Sequence, residues 1–373
     1  MKPSQVDVTV LTTGHDVADA RLHRLVDVLA GDESLTVEVL GLGAARDGPP
    51  EAEVRSHPRW GLPRRAADAV LLPWRSRGRV ILVLDPDLVL PTLLRRFLPR
   101  WLFGRSSRRV VVDVHEDYAK ALLDRSWAKG GWLALARSLV IASTASATRA
   151  DLTVVADDHL RPFHAAHRLV VRNLPRRDLL PAPAPPTSDF RAIYVGDVRR
   201  SRGLHMMLSV LESCPDWTLD VVGPVAEADR AWLSRWRATS SARDRVRFHG
   251  RRPPREAWRL ATGARVGLCM LQPTPAFVAA MPTKVLEYLT CGLAVITTPL
   301  PRAAALVRGS GAGVVVGDVP AAVAALRGWS QDPSAMSAYQ EAAQRWAADS
   351  SSGSEQYAAF GRAVSELARK EQP

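Results

Sequence analysis

Cysteine is scarce in this 373-residue chain: Cys214, Cys269 and Cys291 are odd in number, scattered, and set in or beside apolar runs. Three such thiols exclude a disulfide framework and a cysteine zinc site, and they point to a reducing compartment. Long hydrophobic runs are also missing. The longest, WLALARSLVIASTASA, is cut by Arg137 and diluted with Ser and Thr, so it is expected as a buried or amphipathic helix and not as a membrane span. The opening MKPSQVDVTVLTTGHD has no uninterrupted apolar core of the signal-peptide kind, so no export is expected and a cytoplasmic location is. Acidic charge is in the minority, since 50 Lys plus Arg stand against 38 Asp plus Glu and leave +12. Such a balance would suit nucleic acid, an anionic lipid surface or a diphosphate ligand. No segment interleaves arginine and aromatics as a nucleic-acid module does, which removes the first of these. No internal sequence repeat is visible.

What is present is a doubled pattern. The 47% hydrophobic fraction can build sizeable cores, and the length suits two domains. VDVTVL, TVEVLGLG, VILVLD, RVVVDV and LTVVA in the first half, and FRAIYVGD, WTLDVVG, RVRFHG, RVGLCML and LAVITT in the second, read as strands separated by amphipathic segments. Val- and Ile-rich runs of this length belong to parallel sheets covered on both faces. The fold class is therefore α/β, with two Rossmann-like, doubly wound domains and a ligand cleft expected between them. NLPRRDLLPAPAPPTSD is too rich in proline for regular structure. The expected domains are 1–177 and 189–354, joined by an extended connection over 178–188, with a closing helix over 355–373 returning to the first domain.

The sharpest signals lie in the second half. YVGDVRRSRGLHMMLSVLESC reads as a strand ending at Gly196, a turn carrying Arg199, Arg200 and Arg202, and Gly203 opening a helix. Backbone N–H groups and guanidiniums then converge beyond a strand's carboxyl end, where open α/β sheets bind anions. MPTKVLEYLTCG reads as a loop, a short helix begun by Pro282 and Thr283, and a stop at Gly292 before LAVITT. Lys284 and Glu287 fall on one face of that helix. The simplest account is a solvent-facing ion pair. The alternative is that Lys284 and the arginines hold a diphosphate while the Glu287 carboxylate takes the vicinal hydroxyls of a ribose.

YVGDVRRSRG, RFHG with GARVGLCML, and PTKVLEYLTCGLAVITT, supported by VVVDVHEDY and VVRNLP, resemble the retaining, family-4-like glycosyltransferases of the GT-B fold. The resemblance implies that Glu287 binds ribose, that Arg202 contacts the diphosphate, and that Arg251 meets the base through its backbone. His115 would sit by the donor sugar. It further implies a nucleotide-diphosphate sugar as co-substrate, no cofactor, no obligatory metal, and Arg202, Lys284 and His115 as catalytic groups. Two positions depart from the family pattern: Ala279 stands where a second glutamate is frequent, and Asp197 where an arginine is, so that Arg199 or Arg200 would substitute. An idle GT-B nucleotide-binding or scaffold protein and a GT-B nucleotide-sugar epimerase are the alternatives to a transferase.

Three further segments bear on function. Asp85-Pro86-Asp87 has the D-x-D form that binds a cation and diphosphate in metal-dependent transferases, but its proline stiffens the turn and a structural role is preferred. His115, Glu116 and Asp117 follow a strand, with capping of the next helix as the competing role, and Gly14, His15 and Asp19 lie beyond another strand; Glu116, Asp117, Gly14, His15 and Asp19 are expected on the acceptor side. PTLLRRFLPRWLFGRSSRRV mixes Leu, Phe and Trp with arginine. Such an element either covers the first sheet or lies on an anionic membrane at the inner face of the cell. Membrane contact would favour a lipid-linked cell-envelope acceptor; otherwise a sugar or natural-product scaffold is expected.

Overall fold

A computed structural model describes residues 6–58, 61–97, 108–124, 128–185, 187–349 and 354–370. The chain forms two compact units, Met1–Asn173 with Gly353–Pro373, and Leu174–Ser352. The division thus falls before residue 177, and 178–188 belong with the second unit. Proline-rich backbone cannot pair with itself, and neighbours satisfy it instead: Thr187 N–H donates to Gly263 O, and Arg265 Nη2 donates to Thr187 O at 2.8 Å.

In the first unit, β1 (Val8–Asp16), β2 (Val37–Leu42), β3 (Glu53–His57), β4 (Val80–Val83), β5 (Arg109–Val114), β6 (Leu152–Val155) and β7 (Arg168–Val170) form one sheet. All pairs are parallel, in the order β3-β2-β1-β4-β5-β6-β7. Alternation along the strands separates two cores. Val80 and Leu82 face a cluster with Leu22 and Leu25, whereas Ile81 and Val83 face one with Leu72, Leu88 and Leu93. The helix Ser354–Arg369 places Tyr357, Phe360 and Val364 in the first of these, against the helix Ala20–Ala30. Each such buried aliphatic or aromatic side chain contributes roughly 1.5–3 kcal/mol.

The second unit repeats the plan with β8 (Phe190–Val195), β9 (Trp217–Val222), β10 (Val246–Gly250), β11 (Val266–Cys269), β12 (Ala294–Thr297) and β13 (Gly313–Val315). The sheet is again parallel, in the order β10-β9-β8-β11-β12-β13. Tyr194, Leu268 and Ile296 pack on Leu208, Trp236 and Leu326 on one face. Ile193, Val295 and Tyr288 pack with Val307 and Ala343 on the other. In both sheets the strand order reverses beside the first strand, at β1/β4 and at β8/β11. Loops leaving adjacent strands diverge there, and each sheet opens a crevice at its carboxyl edge.

One expectation is overturned. Residues Gly130–Ser146 are helical, but only Ser143 is buried. Trp132 is 72% exposed, and Leu135, Leu139 and Ile141 are exposed with it. Apolar residues occupy every side of this helix, so of the two expected forms, buried or amphipathic, it takes neither. Of the Leu/Trp/Arg stretch, Pro86–Phe97 is a helix with Leu94 exposed, while residues 98–107 lie outside the described residues, as does the Ser-rich 350–353.

Candidate functional site

Each crevice holds a cluster of charged groups. In the second unit β8 ends at Val195, and Gly196 adopts φ +136°. The turn Arg200–Arg202 follows, and Gly203, at φ +91°, starts the helix Leu204–Ser213. A Cβ on Gly203 would lie 2.2 Å from Met270 O, so only glycine lets this turn approach the end of β11. Gln272 N–H donates to Ser201 O at 2.8 Å and ties the two loops together.

The helix Thr283–Thr290 is wedged behind that junction, with every residue from Lys284 to Thr290 buried. Tyr288 pins it to the sheet: its Oη donates to Leu268 O at 3.2 Å and accepts from Val195 N–H at 3.1 Å. Lys284 and Glu287 are therefore not a solvent-facing pair; they are 7% and 6% exposed. Lys284 Nζ sits 3.9 Å from the centroid of the Tyr194 ring and has no hydrogen-bond partner among the described residues. A Cβ on Gly196 would come within 3.1 Å of that nitrogen. Arg202 joins it, its guanidinium 5.5 Å from the Phe277 ring. Burial pushes the Cys269 thiol upward, and Lys284 and Arg202 both pull it down, so the two cations share one locality. Burial and the Glu287 carboxylate together push the Cys291 thiol up.

The structure distinguishes the other arginines. Arg199 Nη2 is held by Asp197 Oδ2 at 2.8 Å, which turns the departure at Asp197 into a clamp on the residue expected to replace it. Arg200 is exposed; its N–H donates to Asp229 Oδ2, and its charge lies near His205. Arg251 is half-buried after Gly250, whose carbonyl accepts from Gly223 N–H at 2.8 Å. Ala279 is exposed, and its carbonyl accepts from Arg302.

In the first unit the carboxyl-terminal part of β1, Thr12–Asp16, meets the carboxyl ends of β4 and β5. Asp85 Oδ2 accepts from Thr12 Oγ1 at 2.6 Å, Thr13 N–H at 2.9 Å and Gly14 N–H at 3.0 Å, while Oδ1 lies 2.8 Å from His15 Nδ1. Asp87 accepts from Thr13 Oγ1 and from Arg65 Nε, both at 2.7 Å. The Asp-Pro-Asp carboxylates thus spend their acceptor positions inside the protein, in keeping with a structural turn. His15 Nε2 is 3.2 Å from His115 Nε2, and His115 Nδ1 is 3.0 Å from Asp113 Oδ2. Arg21 grips Asp113 through two bonds, of 2.7 and 2.5 Å. Asp19 caps the helix Ala20–Ala30, accepting from Arg21 and Leu22 N–H. Asp117 caps Tyr118–Ala121 and pairs with Lys120, so its capping role prevails, while Glu116 remains half-buried beside His15.

Sequence reading named His15 and His115 separately and missed Asp85 and Asp113 as the carboxylates that hold them. Burial of Asp113 within a Val run was the available signal. Arg21, 92 residues away from Asp113, carried none.

Residues 176–346 match the family described as Glycosyl transferases group 1, nearly the whole second unit. Among solved structures the chain is similar to a sucrose-phosphate synthase from Thermosynechococcus elongatus, at 15% identity over 97% of this chain and 99% of that one, with a TM-score of 0.70. It is similar to Anabaena HepE, solved in complex with UDP-glucose, at 15% identity over 96% and 99%, with a TM-score of 0.66. WaaG, a glycosyltransferase involved in lipopolysaccharide biosynthesis, matches at 16% identity over 97% and 100%, with a TM-score of 0.64. No curated protein is matched by the sequence.

Proposed function

We propose that this chain, a glycosyltransferase of the GT-B fold whose second unit carries the glycosyl transferases group 1 family, draws its sugar from a nucleoside-diphosphate donor held by that unit. The observation that carries the reading is the Lys284 ammonium, buried, stacked on Tyr194 and without a hydrogen-bond partner among the described residues. A buried cation is costly unless an anion completes it, and a diphosphate laid over Gly196 and the turn before Gly203 supplies one. Arg202 takes the same group, Glu287 the ribose hydroxyls, and the Arg251 backbone the base. Arg199 and Arg200 line the approach. HepE bound to UDP-glucose supports the donor class.

Transfer proceeds with retention and without a metal. Charge builds on the leaving diphosphate as the anomeric bond ionises, and fixed cations at Lys284 and Arg202 stabilise it where it develops. His115 serves the sugar, and Gly14, His15, Asp19 and Glu116 the acceptor side. The acceptor is a lipid-linked cell-envelope intermediate, met at the inner face of the membrane by a cytoplasmic enzyme. The exposed apolar helix Gly130–Ser146, with exposed Lys129 and Arg137, supports a peripheral contact with anionic lipid. Among the described residues no helix is long and apolar enough to span a membrane.

Thermal shifts of wild type and Glu287→Ala with UDP, GDP, TDP, ADP and CDP test the donor site, since a ligand that binds only the folded state raises its melting temperature. One base should stabilise wild type, with most of the shift lost in the variant. No shift with any nucleotide, or an identical one in both proteins, would overturn the assignment.

A further inference from the structure

The first unit contains a linear chain of four side chains: Asp85, His15, His115 and Asp113. Asp85 Oδ1 lies 2.8 Å from His15 Nδ1, His15 Nε2 lies 3.2 Å from His115 Nε2, and His115 Nδ1 lies 3.0 Å from Asp113 Oδ2. The two rings meet edge to face, with centroids 4.7 Å apart. Each of the four ring nitrogens thus lies within 3.2 Å of a polar partner. Two nitrogens 3.2 Å apart need one proton between them, and both outer nitrogens face carboxylates. The pair therefore carries three N–H protons, one more than two neutral imidazoles hold.

Where that extra proton rests follows from the carboxylates. Both are buried, Asp85 3% and Asp113 2% exposed. Asp113 is neutralised by the two-bonded Arg21 guanidinium, itself fixed by Val171 O and Asn173 Oδ1. Asp85 accepts hydrogen bonds from the neutral donors of Thr12, Thr13 and Gly14, and the Arg65 guanidinium, bonded to Asp87, acts on it only through space. Asp85, which has no guanidinium bonded to it as Asp113 has, attracts the imidazolium more strongly, which places the proton on His15. The other charges facing His15 are Asp19 and Glu116, and both favour the same side. Burial opposes the charge, but Asp85 overrides it and raises His15 to about 10. Tyr118, whose Oη donates to Leu84 O at 3.0 Å, sits 3.1 Å from His115 Nδ1.

We infer that His15 and His115 act as one acid–base unit, in which His15 stores a proton and passes it from its Nε2 to His115 Nε2, moving the positive charge onto His115 when the donor sugar engages it. One N–H bond breaks and one forms; no electron changes hands and no other reactant is needed. In the free protein the shared proton rests on His15 Nε2, and His115 turns its Nε2 lone pair to it while its Nδ1 faces Asp113. This inference rests on the transferase reading of the chain, and it makes His15, near the carboxyl end of β1, a positioning residue whose effect passes through His115.

The test uses the full chain. Nitrogen-15 NMR of wild type should show His15 doubly protonated and His115 protonated on Nδ1 alone between pH 7 and 9. His115 protonated on Nε2, or both rings neutral in that range, would overturn the inference without any variant. His15→Gln keeps an N–H donor but cannot release a proton. It should lower turnover of the stabilising nucleotide sugar at least about tenfold and abolish the alkaline fall in activity near the His15 titration. The nucleotide thermal shift should stay as in wild type. Turnover within twofold of wild type with an unchanged pH profile would reduce His15 to packing. Loss of the nucleotide shift in wild type would instead strike the donor-site assignment.

Discussion

Gly223 presses its bare Cα against the carbonyl of Gly196: a Cβ built there would lie 1.9 Å from that oxygen, and Gly223 itself sits at φ +145°. Neither the distance nor the backbone angle admits another residue. Gly223→Ala should cost about 1–3 kcal/mol through backbone strain alone and should blunt the nucleotide response, because Gly196 borders Lys284. Denaturant melts with and without nucleotide measure both effects.

Lys284→Met separates stability from binding. With no anion bound, the substitution removes a buried ammonium that lacks a hydrogen-bond partner among the described residues, at the loss of its contact with the Tyr194 ring. The ligand-free protein should gain about 1 kcal/mol, or about 2–4 °C, while the nucleotide-induced shift disappears. A melting temperature that falls in the variant would show that the cation is satisfied without ligand.

Two pH limits follow from the first-unit chain. His15 is raised from 6.5 to about 10, so its ion pair with Asp85 contributes fully below 6.5 and fades as pH climbs through about 10. Burial would raise Asp113, but Arg21 holds it well below the usual carboxylate range, so its contribution is present above that range and is lost in acid. Melting temperature against pH should fall at both ends, and His15→Gln should remove only the alkaline decline.

Because Trp132 and Leu139 are exposed, Trp132→Ser with Leu139→Ser should leave the melting temperature within about 2 °C, as substitutions at exposed positions usually do. Flotation with vesicles containing anionic lipid should show wild type bound and the double variant mostly free. Equal flotation would remove the membrane from the functional reading.

The proposed role of Lys284 and Arg202, as fixed cations on the leaving diphosphate, predicts a reaction that needs no divalent ion. Turnover should survive excess EDTA within about twofold, and NMR of the product should show the donor's anomeric configuration. A chelator-sensitive rate, or an inverted product, would contradict the proposed chemistry.

Strands were legible where Val and Ile ran together, as in β4 and β5, because burial on both faces leaves that composition little freedom. Three of the four edge strands, β3, β7 and β13, escaped notice and only β10 was read: EVRSH, RLV and GVV are short or polar, and pairing on one side alone makes weak demands on sequence. The Lys284–Glu287 helix was readable from its spacing. Its burial was not, since that depends on Tyr288 anchoring it to two strands distant in sequence. Nor could the His15–His115 contact be seen across 100 residues. The helix Gly130–Ser146 misled in the opposite direction, for its apolar letters describe what it can contact and not what it meets in the fold.

The helix Ser354–Arg369 gives synthesis and folding different orders. A ribosome releases residues 174–352 as one contiguous segment before Tyr357, Phe360 and Val364 exist, so the half of the protein translated second is the first able to complete its interior. The half translated first must wait, with Leu22 and Leu25 short of their final neighbours, until the last turns of the chain emerge. A stop codon anywhere before residue 354 would therefore damage the portion of the protein farthest upstream of it.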